Sequence, residues 1–353
     1  MSRRLGTTAA CAVAAAGLVT ASTGCGGSSE SYAISSLDAL SVTTTTVPNT
    51  PDVAESTSPP TTISERQREC EERSLETASY RPVETLEVDE GSFMQHLRDV
   101  GRIVVGVDEN TRGLSARNAE SGQLEGFEVE LAHEIAEAVF GVPDASERVT
   151  LIPLLTSEKT SSVANGEVDL TISAASMACR RWEEVDFSAE YYTAHQEFLV
   201  RSDSPIRTVA DLDGRTVCVT ANSSSLRILE DLVPETTPWP EDARTDCLVA
   251  LQQGLVDAYF GHDTFLYGML LQDPTLEIRA ILPPEDTVSH YGIAINREHR
   301  EFTRFVNAVL EQLIADGWWQ ATADKWLVQD LGIGLADESL APVPPVPNHT
   351  RED

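Results

Sequence analysis

The chain has 353 residues, with 57 Asp and Glu against 25 Lys and Arg, for a formal charge of −32. A surplus of that size repels polyanions and excludes nucleic acid as a partner, although arginines could still line a local site for an acidic ligand. Beyond the first stretch, no run is long and apolar enough for a membrane-spanning helix.

At the start, Arg3 and Arg4 precede a short apolar run, residues 9–20 (AACAVAAAGLVT), and then small residues before Cys25. A basic start, a short apolar segment and a small-residue cleavage site describe a secretory signal over residues 1–24. The residues before Cys25 resemble a bacterial lipobox. This implies lipidation of Cys25 and an extracytoplasmic protein anchored to the outer face of the bacterial cell membrane, with plain secretion as the alternative. The twin arginines leave the export route, Sec or Tat, open.

Residues 25–65 are rich in Ser, Thr and Pro and read as an extended tether, because such a segment cannot bury enough apolar surface to offset its ordering entropy. An N-terminal extension follows at 66–92. The Pro-rich tail, residues 336–353, reads as disordered on the same compositional grounds.

Between these ends, strand and helix patterns alternate. Residues 102–107 (RIVVGV) form a buried strand pattern. Phe127, Leu131, Ile135 and Val139 recur at four-residue spacing with glutamates between them, which predicts an amphipathic helix that stops at Gly141. Further strands are expected at 149–154, 168–173, 197–201, 216–220 and 256–260, with helices at 158–165, 224–232, 245–253 and 263–271. Alternation of this kind argues for an α/β fold with parallel sheets.

Cys70, Cys179, Cys218 and Cys247 remain once Cys11 leaves with the signal and Cys25 takes the lipid. An even number in an exported chain without a CxxC pair predicts two disulfides rather than a zinc site, with three pairings open. Enzymatic signatures are sparse. There is no GxSxG elbow, Walker loop or GxGxxG, and His133-Glu134 lacks the second histidine of a zinc-protease helix. Neither metal, cofactor nor catalytic activity is expected.

Ordered motifs over residues 95–330 carry a family resemblance: 101–108 (GRIVVGVD), 124–132 (LEGFEVELA), 165–172 (NGEVDLTI), 181–192 (RWEEVDFSAEYY), 204–214 (SPIRTVADLDG) and 246–257 (DCLVALQQGLVD). Together they resemble the type-3, polar amino-acid-binding proteins of ABC importers. The nearest likeness is to actinobacterial glutamate/glutamine-binding lipoproteins, including the mycobacterial kind linked to sensing through a protein kinase. The resemblance implies a two-lobed, type II periplasmic-binding-protein-like fold. Residues 93–200 and 288–335 would form lobe 1 and residues 201–287 lobe 2, with hinge strands near 200 and 288. It also implies a Cys218–Cys247 bridge, which leaves Cys70 and Cys179 for each other.

The same resemblance assigns a binding site. A free amino acid offers a carboxylate, an ammonium and a side chain. Arg181 matches the family arginine that grips the α-carboxylate, a role suited to a guanidinium fork; a surface arginine is the alternative. Ser176 matches the hydroxyl sharing that carboxylate, and the backbone at Ala174 is expected to face the ammonium. Asp263 matches the ammonium acceptor, or else caps the helix beginning at Thr264. Asn222, Ser223 and Ser224 precede a helix and are candidates for the ligand side chain, with serine N-capping as the plain alternative. Phe127 is either an aromatic packed on the ligand or core. Arg112 and Arg117 are candidates for an acidic side chain, or else solvated loop arginines. Asn222, Leu114 and Ala116 depart from the family pattern, so the ligand's side chain is the least defined part.

The expected function is therefore an extracytoplasmic lipoprotein that binds a free polar or acidic amino acid (Glu, Gln, Asp or Asn) and presents it, as a monomer, to an ABC permease. A sensor subunit acting through a membrane partner on a protein kinase is the alternative. A dehydratase on the same fold is a remote third, because no general acid can be named for it.

Overall fold

The computed structural model describes residues 64–279 and 288–352. The signal, Cys25 and the tether up to residue 63 lie outside the described residues.

In chain order, the first elements are α1 (Glu65–Glu72), α2 (Phe93–Val100), β1 (Ile103–Val107), β2 (Asn110–Thr111), β3 (Ser115–Arg117), β4 (Leu124–Glu125) and α3 (Phe127–Phe140). Next come β5 (Val149–Pro153), α4 (Ser161–Ala164), β6 (Leu170–Thr171), β7 (Val185–Phe187) and the long β8 (Tyr192–Arg201). The chain continues through β9 (Thr216–Thr220), α5 (Ser224–Leu232), β10 (Thr237–Glu241), α6 (Arg244–Gln252), β11 (Ala258–His262), α7 (Asp263–Leu270) and β12 (Leu276–Arg279). It closes with β13 (Val288–Tyr291), β14 (Ala294–Asn296), α8 (Arg300–Ala315) and α9 (Trp318–Ala323).

The first lobe is built on the sheet β5-β1-β6-β14-β7. Ile103, Val105 and Val107 of β1 meet Phe127, Leu131, Ile135 and Val139 of α3 in one core, joined by Phe302, Phe305 and Val309 of α8. The four-residue spacing of α3 thus faces a sheet, and the helix ends where Gly141 takes a left-handed φ of 66°. Its start depends on Gly126, because a Cβ there would lie 2.2 Å from the carbonyl oxygen of Leu114.

The second lobe carries the sheet β10-β9-β11-β8-β12. Its central strands alternate between two cores, as the two-residue period of a strand buried on both faces requires. Cys218, Leu199 and Tyr259 face α6 and α7, while Val217, Val219, Phe198, Val200, Ala258 and Phe260 face Leu212 and Leu229. The structure joins Cys218 to Cys247, 29 residues apart, and Cys70 to Cys179. Closing the shorter loop contributes about 3–4 kcal/mol on the chain-entropy model.

The sheets are not purely parallel. β8 pairs antiparallel with β11, β12 and β13, and β14 pairs antiparallel with β6 and β7. The reason is connectivity: β8 leaves the first lobe and enters the second, and β13 returns beside it in the register Val288↔His195 to Tyr291↔Tyr192. Of the expected helix at 158–165, only Ser161–Ala164 is helical.

The Pro-rich tail is a correction. Ser79 N donates to Asn348 O at 2.8 Å, and Arg351 N donates to Ser79 O at 3.1 Å. The Arg351 guanidinium lies 3.5 Å from the centre of the Trp182 ring, and His349 bridges Tyr80 O and Glu311. Composition misleads here because the tail builds no core of its own; it pairs its backbone with the N-terminal extension and borrows the surface of the first lobe.

At the crossing, Glu197 of β8 and Asp263 of α7 are buried, and three of their four carboxyl oxygens have no hydrogen-bond partner. Burial, then repulsion from Asp337, pushes Glu197 up to about 7. Burial, then the neighbouring Glu197, holds Asp263 well above the usual carboxylate range.

Two outcomes follow from this architecture. Deleting the tail from Asp337 onward should lower Tm by roughly 5–10 °C through lost hydrogen bonds and the Arg351–Trp182 contact; an unchanged melting curve would leave the tail without a structural role. For Glu197, the folded state holds its proton up to about pH 7, whereas the unfolded chain releases it near 4.5. Its contribution is therefore full below the unfolded value and lost as pH rises through about 7, a change of about 3 kcal/mol. Glu197→Gln should accordingly gain several degrees in Tm on the parent protein between pH 4.5 and pH 8. A gap that stays constant over that range contradicts this.

Candidate ligand cleft between the lobes

The residues facing the cleft sit mostly on loops at the carboxyl ends of strands, where parallel α/β sheets place their sites. From the first lobe, Thr156 and Lys159 follow β5, Ala174 and Ser176 follow β6, and Arg181 opens a short turn before β7. From the second lobe, Thr220 ends β9, Ser223 to Ser225 start α5, Arg244 starts α6, His262 ends β11, and Phe265 lies on α7. Together they enclose a cavity of about 20 Å³. That is room for about one water, so a molecule of amino-acid size enters only when the lobes part.

Polar contacts cross from one lobe to the other. Ser176 Oγ and Ser224 Oγ lie 2.9 Å apart, Arg180 Nη2 donates to Asn222 O at 3.3 Å, and Arg244 Nη1 meets Asp108 Oδ2 at 2.8 Å. Burial alone would raise the Asp108 carboxyl, but Arg244, Lys159 and hydrogen bonds from Asn110 and Thr111 hold it below its usual value.

Arg181 is 6% exposed, and its guanidinium donates from Nη1 to Ser176 O at 2.7 Å. Burial, with Arg180 and Arg244 nearby, pulls its guanidinium down to about 9. Lys159 is buried as well, and its Nζ donates to Ser173 O. Burial, then Arg244 and Arg181, holds its ammonium well below the usual lysine range. Neither cation forms an ion pair with a carboxylate among the described residues.

Glu128 anchors the loop between them. Its Oε1 accepts from Ala174 N at 2.6 Å and from the Tyr191 hydroxyl at 2.5 Å, and its Oε2 accepts from Ser115 Oγ at 3.1 Å. Ala174 has a φ of +47°, a left-handed conformation that alanine rarely takes, and the Glu128 bond holds it there.

The structure brings Arg181, Ser176, Ala174, Ser223 and Ser224 to one cavity. Ser223 is at the same time the N-cap of α5, its Oγ accepting from Leu226 N at 3.1 Å. The Ala174 N–H is engaged by Glu128, so it is not presented to the cleft. Asn222 stands beside the wall with a φ of +58°, the left-handed region that asparagine tolerates best after glycine.

Four expected site residues lie elsewhere. Phe127 is fully buried with its ring 5.8 Å from Trp319 and 5.9 Å from Trp318, so it is core. Arg112 is half-exposed and grips Asp330 with two hydrogen bonds, and Arg117 pairs with Glu109, so both are outward loop arginines. Asp263 is fully buried and absent from the cavity wall; its Oδ1 turns back to accept from Thr264 N at 2.6 Å, and its neighbour His262 takes the place on the wall.

Lys159, Arg244, His262 and Thr220 went unread in the sequence. One signal was present: Lys159 is one of two lysines in the whole chain, the other being Lys325. Among the described residues, no group of three or more His, Cys, Asp and Glu could hold a metal, and no helix is long and apolar enough to cross a membrane.

The model of the bacterial extracellular solute-binding proteins, family 3, matches residues 103–329. Among similar proteins, the ABC transporter glutamine-binding protein GlnH of Bacillus subtilis is 28% identical over 236 residues, 66% of this chain and 84% of the relative. The glutamate-binding protein GluB of Corynebacterium efficiens is 30% identical over 243 residues, covering 66% of this chain and 79% of the relative. A solved mutant of ArgBP from T. maritima superposes with a TM-score of 0.60 at 26% identity, covering 67% of this chain and 99% of that one. With two α/β lobes, a cleft between them and a family match spanning well over half its length, the chain belongs to the bacterial extracellular solute-binding proteins of family 3, a family of binding proteins rather than enzymes.

Proposed function

We propose that this protein closes its two lobes around a free acidic or polar L-amino acid, of the Glu, Gln, Asp or Asn class, and hands it to an ABC importer. The carrying observation is that two buried basic side chains, Arg181 and Lys159, line one cavity without an ion-pair partner among the described residues. Leaving buried charge unpaired is costly, and a ligand that brings its own carboxylates removes the cost. Arg181 with the Ser176 hydroxyl suits the α-carboxylate, because a guanidinium fork meets two oxygens in parallel. Lys159, with Ser223 and Ser224 at the start of α5, suits the distal group, and an acidic distal group best of all. Asp263 serves the ammonium only if its side chain rotates toward the cleft as the lobes close on a ligand.

The names of GlnH and GluB support this ligand class. On this reading the protein works as a monomer, held at the outer membrane face by a lipid on Cys25.

Calorimetry against the twenty amino acids should find stoichiometric binding within the Glu, Gln, Asp and Asn group. Arg181→Ala should weaken it at least about fiftyfold, the loss expected when one partner of a buried charged hydrogen bond is removed. Undiminished binding by that variant refutes the clamp. Because an anionic ligand favours the charged form of Arg181, affinity should also fall as pH rises past about 9. Equal affinity at pH 7 and pH 10 argues against a carboxylate on this guanidinium.

A further inference from the structure

A second cavity adjoins the ligand cavity. It measures about 210 Å³ and opens between the loops after β1 and β5 on one lobe and the start of α6 on the other. The two cavities share only Thr156 and Arg244 as lining residues. Thr156 is short and contributes a rim; Arg244 is the wall.

That wall is held on several sides. The Arg244 side chain is 7% exposed, with Nη1 bonded to Asp108 Oδ2 and to Thr111 Oγ1 of the opposite lobe. Its guanidinium carbon lies 4.7 Å from the centre of the Phe265 ring, and Phe265 itself lines the ligand cavity. Closing the lobes therefore clamps a cation across the far end of the ligand cavity. Beyond it, the second cavity is acidic, bordered by Asp108, Glu109, Glu158 and Asp242.

We infer that Arg244 is the specificity-determining gate of this cleft, which limits the ligand to a short side chain and excludes amino acids that carry a distal cation. The inference rests on the cleft being an amino-acid site and deepens that reading. The physics is twofold. Side-chain bulk blocks passage from the small cavity into the larger one, and the fixed positive charge repels an incoming guanidinium or ammonium. With the gate removed, the two cavities join, Asp108 loses its counter-ion, and the joined space suits a long side chain ending in a positive charge.

The test uses calorimetry on the full chain with two variants and one ligand series. The unsubstituted protein should bind glutamate or glutamine, and should bind arginine and γ-glutamylglycine at least a hundredfold more weakly. Arg244→Ala should gain at least tenfold in affinity for arginine and lose at least tenfold for glutamate. Arg244→Met, which keeps the bulk and drops the charge, should lose glutamate affinity to a similar degree without gaining arginine.

An unchanged ligand ranking in Arg244→Ala overturns the gate, and so does an arginine gain in Arg244→Met equal to that of Arg244→Ala. Should Arg244→Ala fail to fold, the ligand series on the unsubstituted protein still decides, because γ-glutamylglycine or arginine bound within tenfold of the best ligand overturns the gate. An unsubstituted protein that binds none of the twenty amino acids fails the amino-acid reading itself and takes the gate with it.

Discussion

Two basic side chains, Lys159 and Arg181, are buried at the seam of the lobes, and each donates a hydrogen bond to a backbone carbonyl. Much of the first lobe serves to keep them there. Glu128 is a buried carboxylate held by three donors, Ser115, Ala174 and Tyr191, and hydrogen-bonds to neither basic group. Asp108 is occupied by Arg244. In a chain of charge −32, the wall of this one cavity thus gathers three basic side chains, Lys159, Arg181 and Arg244.

The parts of this arrangement that could be read from the sequence are those with local causes. The spacing of Phe127, Leu131, Ile135 and Val139 predicts a helix facing a core, and the strand 216–220 and helix 224–232 match their observed bounds. Motif position singles out Arg181, Ser176 and Ser224, and the structure places all three on the wall of one cavity. What stayed hidden depends on distant partners. Phe127 packs against Tyr191, Trp318 and Trp319, remote in sequence, and nothing local distinguishes a core ring from a ligand-facing one. Arg244 gains its role only from Asp108 and Thr111 on the other lobe. The tail looked incapable of order because composition describes a segment alone, without the surface it lies on.

The hinge carries a cost of its own. Strands β8 and β13 exchange backbone hydrogen bonds along the crossing, yet the side chains packed beside them include a buried acid pair with few partners. Tyr291, His262, Ser289, Gln196 and Ser225 form a continuous hydrogen-bonded chain from the crossing strands to the start of α5. That chain links His262 and Ser225 on the cavity wall to Ser289, Tyr291 and Gln196 on the crossing strands.

The scarcity of lysine has a practical side. Of the two lysines in the chain, Lys159 is buried at the cleft, while Lys325 is 57% exposed and lies beside Glu130 of α3. Acylating reagents aimed at lysine amines therefore find one open target in the folded protein. A dye, a biotin or a solid support can be attached at the single position Lys325, which is not among the residues lining the ligand cavity.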